Sequence, residues 1–243
     1  MSCTLSDLFA RHGGVMPKGG FSIDEIYEMN TMTDAEFRAE LQAQEDAHKH
    51  SLNEKAGAEQ EAKRTAFLEK CHRSGMPKRF DCAAIDTRRA QLIETTNKGF
   101  WICGNVGAGK THLACSIFKG WLYSGKNALF VQTTAMLANL RDAMSSKDEV
   151  QATALYAKAP LLVLDDLGKE APTPWALAKI FEIVDTRYSE CLPTIVTGQH
   201  MPESLAARFA STGDKELAKA VVSRLSGTCT LIKAGGDDRR FNG

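Results

Sequence analysis

From residue 78 onward, short apolar runs alternate with stretches whose apolar residues recur at helical spacing. GFWIC at 99–103, ALFVQ at 128–132, LLVL at 161–164, TIVT at 194–197 and the run 229–233 have the length of buried strands. Helices are expected between them: from the end of GNVGAGKT to Tyr123, over 133–144 (Met136, Leu137, Leu140 and Met144 on one face), then 175–189, 203–209 and 215–225. Strands without polar interruption are covered on both faces, and strands alternating with helices form a parallel sheet. The expected fold class is therefore α/β, a parallel sheet sandwiched by helices.

The first 75 residues follow another pattern. Two apolar clusters, Leu5/Leu8/Phe9 and Phe21/Ile23/Ile26/Tyr27, flank the Gly- and Pro-rich GGVMPKGG. Ser22–Glu25 and Thr33–Glu36 have the Ser/Thr-x-x-Glu form of a capping box, so helices are expected to begin there. The stretch from the second box to about Arg73 is dense in Ala, Glu, Lys and Gln, which favour helix. Its apolar positions (Phe37, Leu41, Leu52, Phe67, Leu68) make a stripe too thin to fix it in a core. A solvated linker helix and a partner-binding helix both fit. Ser74-Gly75-Met76-Pro77 ends the stretch, since Gly and Pro terminate helices. The expected organisation is a mostly helical N-terminal region, 1–75, followed by a domain over 76–243.

Composition narrows the function classes. The 243 residues suffice for one α/β core and an appendage. Thirty basic and thirty acidic residues cancel, which excludes coating DNA by bulk charge and leaves local basic patches. The seven cysteines, Cys3, Cys71, Cys82, Cys103, Cys115, Cys191 and Cys229, form no Cys-x-x-Cys pair, so neither a disulfide framework nor a zinc site is expected. No apolar run approaches 18 residues, and MSCTLSDLFARHGG lacks the basic start and apolar block of a secretory signal. A cytoplasmic protein with no membrane partner is expected.

The chemistry starts at Gly104-Asn105-Val106-Gly107-Ala108-Gly109-Lys110-Thr111, which matches Gly-x-x-x-x-Gly-Lys-Thr between a strand and a helix. Glycines let backbone N–H groups turn inward around a phosphate, and the helix N-terminus adds positive potential. Lys110 is expected to reach the β- and γ-phosphates of ATP, and the Thr111 hydroxyl to ligate Mg²⁺. The backbone N–H of His112 is placed to meet the α-phosphate. LLVL then runs into Asp165-Asp166. Ligands of parallel sheets sit beyond the carboxyl ends of the strands, so Asp165 falls where the Mg²⁺ shell needs a hard oxygen. Asp166 is placed to orient or deprotonate an attacking water, although Asp is one methylene shorter than Glu.

Three later features are more open. Gln199, after TIVT, is placed either to bond the γ-phosphate or the attacking water, or simply to fill a loop. Arg224, in SRLSG, either complements the dipole of its helix or enters a neighbouring subunit's site as an arginine finger, a role that contributes roughly 10³–10⁵ in rate. Arg239 and Arg240 follow GGDD near the chain end, where a solvated tail is the plain alternative.

Taken in order, MPKRF, GNVGAGKTHLA, LLVLDDLG, VDTRYSECLPTIVTGQ, SRLSG and GGDDRR resemble the DnaC-type helicase loaders and the IstB-type transposition helper ATPases of the AAA+ class. The resemblance covers 76–243. It implies an AAA+ P-loop NTPase ending without a C-terminal helical lid. It implies ATP and Mg²⁺ as cofactors, Asp165 as metal-side acid, Asp166 as water-activating acid and Gln199 in a sensor position where relatives carry Asn. It also places Arg224 at the finger position and Arg240 at the second sensor, in a degraded form of the family's Gly-x-Ser-Tyr-Arg ending with Arg239 as a rival. A loader of this kind delivers a hexameric replicative DNA helicase onto single-stranded DNA and self-associates through an ATP-bridged interface, with DNA-stimulated hydrolysis. The region before the core would grip the helicase, and Lys119, Lys126, Arg141 and Lys147 are candidate phosphate contacts. The rivals are a transposition helper and an adaptor that binds ATP with little hydrolysis; a small-molecule kinase would need an arginine-rich lid between Asp165 and Gln199 that the sequence lacks.

Overall fold

The computed structural model describes residues 34–235, which divide into two units between Thr65 and Ala66. The apolar clusters before residue 31 and Arg239/Arg240 lie outside the described residues. In the first unit, helix α1 (Asp34–Arg73) starts beside the expected Thr33 box. Its described side chains up to residue 65 are exposed apart from a partly buried Ser51. Pairs such as Lys63–Glu59 and Lys49–Glu45 lie one turn apart, as expected of a solvated helix face.

The second unit takes in the last turns of α1, where Cys71 is buried. Gly75, at φ 95°, turns the chain across the outer strand: a Cβ there would sit 2.0 Å from the Phe130 carbonyl. Ser74 O accepts a hydrogen bond from Phe130 N (2.8 Å), which covers the exposed edge of the sheet. A 3₁₀ turn (Lys78–Phe80) and α2 (Thr87–Thr96) follow. Then come β1 (Gly99–Gly104), α3 (Lys110–Tyr123), β2 (Leu129–Gln132), α4 (Thr133–Ser146), α5 (Glu149–Ala157), β3 (Leu162–Asp165), α6 (Pro174–Ser189), β4 (Thr194–Gly198), α7 (Pro202–Ala210), α8 (Lys215–Thr228) and β5 (Cys229–Ala234). The sequence pattern missed α2 and α5. Only Ala90 and Ile93 of α2 are buried, and α5 buries Thr153, Tyr156 and Ala157, too few apolar positions to show a period.

The sheet is five-stranded, ordered β2-β3-β4-β1-β5, and every pairing is parallel. Alternate residues of each strand feed two cores. Phe100, Ile102, Val163 and Ile195 meet α2, α3 and the end of α1, with Ile93, Ile117 and Phe118. Trp101, Leu162, Leu164 and Val196 meet α4 to α8, with Met136, Leu140, Ile180, Phe209 and Val221. The order places β4 between β1 and β3, so the residues ending β1, β4 and β3 lie side by side on one edge.

The opposite edge, where the strands begin, is tied by Arg187 of α6, only 1% exposed. Its Nε donates to Thr194 Oγ1 (2.8 Å), Nη1 to the carbonyls of Tyr156, Ala157 and Ala159 (3.1, 3.2 and 2.7 Å), and Nη2 to Pro193 O (2.6 Å). Burial pulls its pKa down to about 10, so it is charged at neutral pH, and the carbonyls at the C-terminal end of α5 stand in for a counter-ion. Arg187→Lys is expected to destabilise the protein by about 3 kcal/mol or more, because an ammonium cannot serve acceptors spread over this fork. Chemical denaturation measures it; an unchanged midpoint would refute the tie.

Candidate active site

The residues 104–111 turn from β1 into α3. Gly107 (φ 79°) and Gly109 (φ 81°) hold left-handed conformations that side-chain-bearing residues rarely adopt, and Gly109 caps α3. Asn105 and Val106 are exposed at the crest of the loop, while Ala108 is buried beneath it. Lys110, 7% exposed, lays its ammonium across the loop, donating to Gly104 O (2.9 Å) and Asn105 O (2.7 Å). His112 is exposed, and its ring meets Phe80 edge to face, with centroids 6.5 Å apart, which ties the 3₁₀ turn to the P-loop helix.

Asp165 ends β3 and is fully buried. Its Oδ1 accepts from Thr111 Oγ1 (2.8 Å) of α3 and from Thr197 Oγ1 (2.6 Å) of β4. Its backbone carbonyl accepts from Thr133 Oγ1 at the start of α4 (3.1 Å). Its Oδ2 is buried with no hydrogen-bond partner. Burial pushes this carboxyl up from the ordinary range, while the Thr197 and Thr111 hydroxyls work the other way. A divalent cation fits this donor set: a hard carboxylate oxygen lacks a partner, and the P-loop hydroxyl stands on the other oxygen. No group of three or more His, Cys, Asp or Glu that could by itself hold a metal ion exists among the described residues.

Thr197 is the residue the sequence did not single out. Buried in β4, its hydroxyl donates to Asp165 and accepts from the backbone N–H of Asp166 (2.9 Å), so one side chain orients both acids. The signal was present as the polar residue closing TIVT, but the more exposed Gln199 drew the assignment. Asp166 takes a left-handed φ of 59°, and its Oδ2 accepts from Lys169 Nζ (2.6 Å). Gln199 is exposed in the loop after β4.

The structure does not bring Arg224 to this cluster. It lies near the end of α8, which runs directly into β5, toward the edge where the strands begin. Its Nε donates to Asp185 Oδ1 of α6 (2.7 Å), and its guanidinium stands 5.3 Å from the Tyr188 ring centre. A six-residue strand spans about 20 Å, so Arg224 is remote from its own phosphate loop. Of the candidate phosphate contacts, Lys119 is 4% exposed and donates to Ala83 O (2.6 Å) and Asp81 O (3.1 Å), so it is a structural tie and no DNA contact. Lys126 pairs with Glu94, Arg141 stacks on Trp175, and Lys147 is exposed at the end of α4.

Asp165→Asn removes a buried charge and keeps an oxygen for both hydroxyls. It is expected to raise the melting temperature of the nucleotide-free protein by about 2–4 °C per kcal/mol of relieved desolvation, while abolishing Mg²⁺-dependent nucleotide stabilisation. Thermal melts with and without Mg²⁺ and ADP measure both effects. A lower melting temperature without nucleotide would show that the carboxylate is not under strain.

Known proteins resemble this chain. The replicative helicase loader DnaI of Bacillus subtilis is 25% identical over 148 residues, covering 59% of this chain and 48% of the relative. An insertion sequence ATP-binding protein, y4pL of Sinorhizobium fredii, is 30% identical over 141 residues, covering 58% and 56%. The chain thus spans about half the length of the curated relatives it matches. A crystal structure of the DnaC helicase loader superposes with a TM-score of 0.56 at 25% identity, covering 65% of this chain and all of that one. The parallel sheet, the P-loop between β1 and α3 and the acid closing β3 are those of a P-loop NTPase of the AAA+ class. Residues 65–242, more than half of the chain, match the family model of IstB-like ATP binding proteins, and the chain belongs to that family.

Proposed function

We propose that the protein is a Mg²⁺-dependent ATPase that loads a replicative DNA helicase onto single-stranded DNA. In this reading the 104–109 loop and the N-terminus of α3 cradle the phosphates, with Lys110 leaving its loop carbonyls for the β- and γ-oxygens. Thr111 and Asp165 hold the metal, which when bound neutralises charge developing on the phosphate oxygens. Thr197 holds Asp165 in place through its hydroxyl and fixes the backbone from which Asp166 orients or deprotonates the attacking water. Gln199 serves as sensor, and Arg240 as second sensor.

The observation that carries the reading is the separation of Arg224 from the phosphate loop of its own chain. Besides Lys110, a hydrolytic site of this kind uses an arginine on the γ-phosphate, and in this reading Arg224, remote from its own phosphate loop, serves the next subunit. Release from Asp185 would free it for that role. ATP-bridged self-association then makes the nucleotide a switch for assembly on DNA, in the cytoplasm of a bacterial host. The DnaI and DnaC likenesses support the loader assignment, with the region before residue 76 as the helicase grip.

A transposition helper is the second reading, favoured by the IstB-like family model and by the insertion sequence relative. Pull-down from host lysate with full-length protein and with a variant lacking 1–75 decides between them. A hexameric helicase captured only by the full chain supports loading, whereas a transposase would overturn it. Lys110→Ala is expected to abolish ATP binding. Arg224→Ala is expected to keep nucleotide binding and to lower DNA-stimulated turnover by about 10³-fold or more. Phosphate release assays read this, and unchanged turnover would sink the finger assignment. A wild-type protein that binds ATP yet shows no release with single-stranded DNA would be a nucleotide-dependent adaptor.

A further inference from the structure

The turn after β3, the loop after β4 and helix α7 enclose a cavity of about 240 Å³ lined by Leu167, Gly168, Lys169, Gln199, His200 and Arg208. The lining carries two cations and no carboxylate. Arg208 Nη2 donates to Glu170 O (2.8 Å), its Nε is buried without a hydrogen-bond partner, and no described carboxylate forms an ion pair with it. The acid that shares its field is Glu170, 4% exposed, whose Oε2 accepts from Gly168 N (2.9 Å). Burial pushes the Glu170 carboxyl up, while backbone N–H groups and the Arg208 charge work the other way, and its Oε1 is also buried without a hydrogen-bond partner. Burial, aided by the Arg208 charge, pulls His200 down, which favours a neutral ring with one donor and one acceptor.

Lys169 stands at the rim. Its ammonium pairs with Asp166 Oδ2 at 2.6 Å, but its side chain is 49% exposed and can swing. A fixed guanidinium short of acceptors, a swinging ammonium, an amide and an imidazole make a donor-rich pocket, and buried donors in proteins are satisfied. A tetrahedral oxyanion supplies the acceptors, and a planar guanidinium fork matches its geometry.

We propose that this cavity is an oxyanion site taking a phosphate group, with Arg208 as its fixed ligand and Lys169 as its mobile one. It lies beyond the carboxyl ends of β3 and β4, the edge where the γ-phosphate of a bound nucleotide arrives. Orthophosphate released by hydrolysis and the phosphodiester of a nucleic-acid strand are its two sources. A further consequence rests on the proposed role of Asp166: a phosphate here competes with Asp166 for Lys169, so occupancy frees that carboxylate to act on water.

The test uses full-length protein saturated with a non-hydrolysable ATP analogue and Mg²⁺, so that the γ-phosphate position of the 104–111 loop is filled, titrated with inorganic phosphate in a calorimeter. Saturable binding is expected, weakened about tenfold or more by Arg208→Gln and, should that variant fold poorly, by the half-exposed Lys169→Gln, with affinity for the analogue unchanged in each. Absence of saturable binding, equal affinity in wild type and both variants, or acetate binding as tightly as phosphate would overturn the site; the last outcome would make a carboxylate of a protein partner the occupant. An oligothymidylate that displaces phosphate identifies the phosphodiester as source, and one that leaves it bound identifies orthophosphate; either upholds the site. Lys169→Gln is also expected to raise basal ATP turnover. If phosphate binding holds while turnover does not rise, the Asp166 assignment fails and the oxyanion site stands.

Discussion

A buried carboxylate with one satisfied oxygen is the constraint around which the nucleotide end of this protein is arranged. Asp165 sits at the meeting of α3, β3, β4 and α4, and each of the other three sends a hydroxyl to it: Thr111, Thr197 and Thr133. Two of these neutral donors converge on the same oxygen. They hold the side chain without supplying positive charge, which leaves the charge itself to a ligand that brings its own. An acid paired to a lysine inside the fold would be more comfortable without nucleotide and less responsive to it. The price of that responsiveness is local strain at the site, offset by the two apolar cores that clamp the sheet from either side.

Strand order makes this convergence possible. Because β4 lies between β1 and β3, a hydroxyl on β4 reaches the acid of β3 while the P-loop leaves the neighbouring strand. The other edge is locked by Arg187, whose guanidinium binds backbone carbonyls from α5 and from the residues leading into β3 and β4. One edge of the sheet is therefore tied by the chain's own groups, and the other is built from groups that await a ligand.

Much of this was legible in the sequence, for physical reasons that differ by element. The glycines and Lys110-Thr111 stand out because backbone curvature and phosphate charge allow few alternatives, and Asp165 because a charge after LLVL contradicts burial unless something binds it. The strand order was not legible, since alternation of strands and helices leaves the sequence of neighbours open. Lys119 and Arg187 each look like solvated charges on amphipathic helices, yet both are buried, because carbonyls at loop and helix ends receive them. Thr197 was hidden for a related reason: a threonine suits a strand whatever it bonds to. The terminal arginines lie beyond the described residues.

The left-handed backbone of Asp166 bears on how this site can drift over generations. Outside glycine, that conformation is entered most readily by Asn and Asp, whose short polar side chains bond locally, although Lys147 and Cys191 also hold it in this chain. Lengthening the acid to Glu would gain reach toward a water and strain the turn. Of the residues that enter this conformation most readily, Asp alone carries a carboxylate. The shorter acid, which on paper is the weaker reagent, is the one this turn favours, and a longer acid here would carry the strain of the left-handed turn after β3.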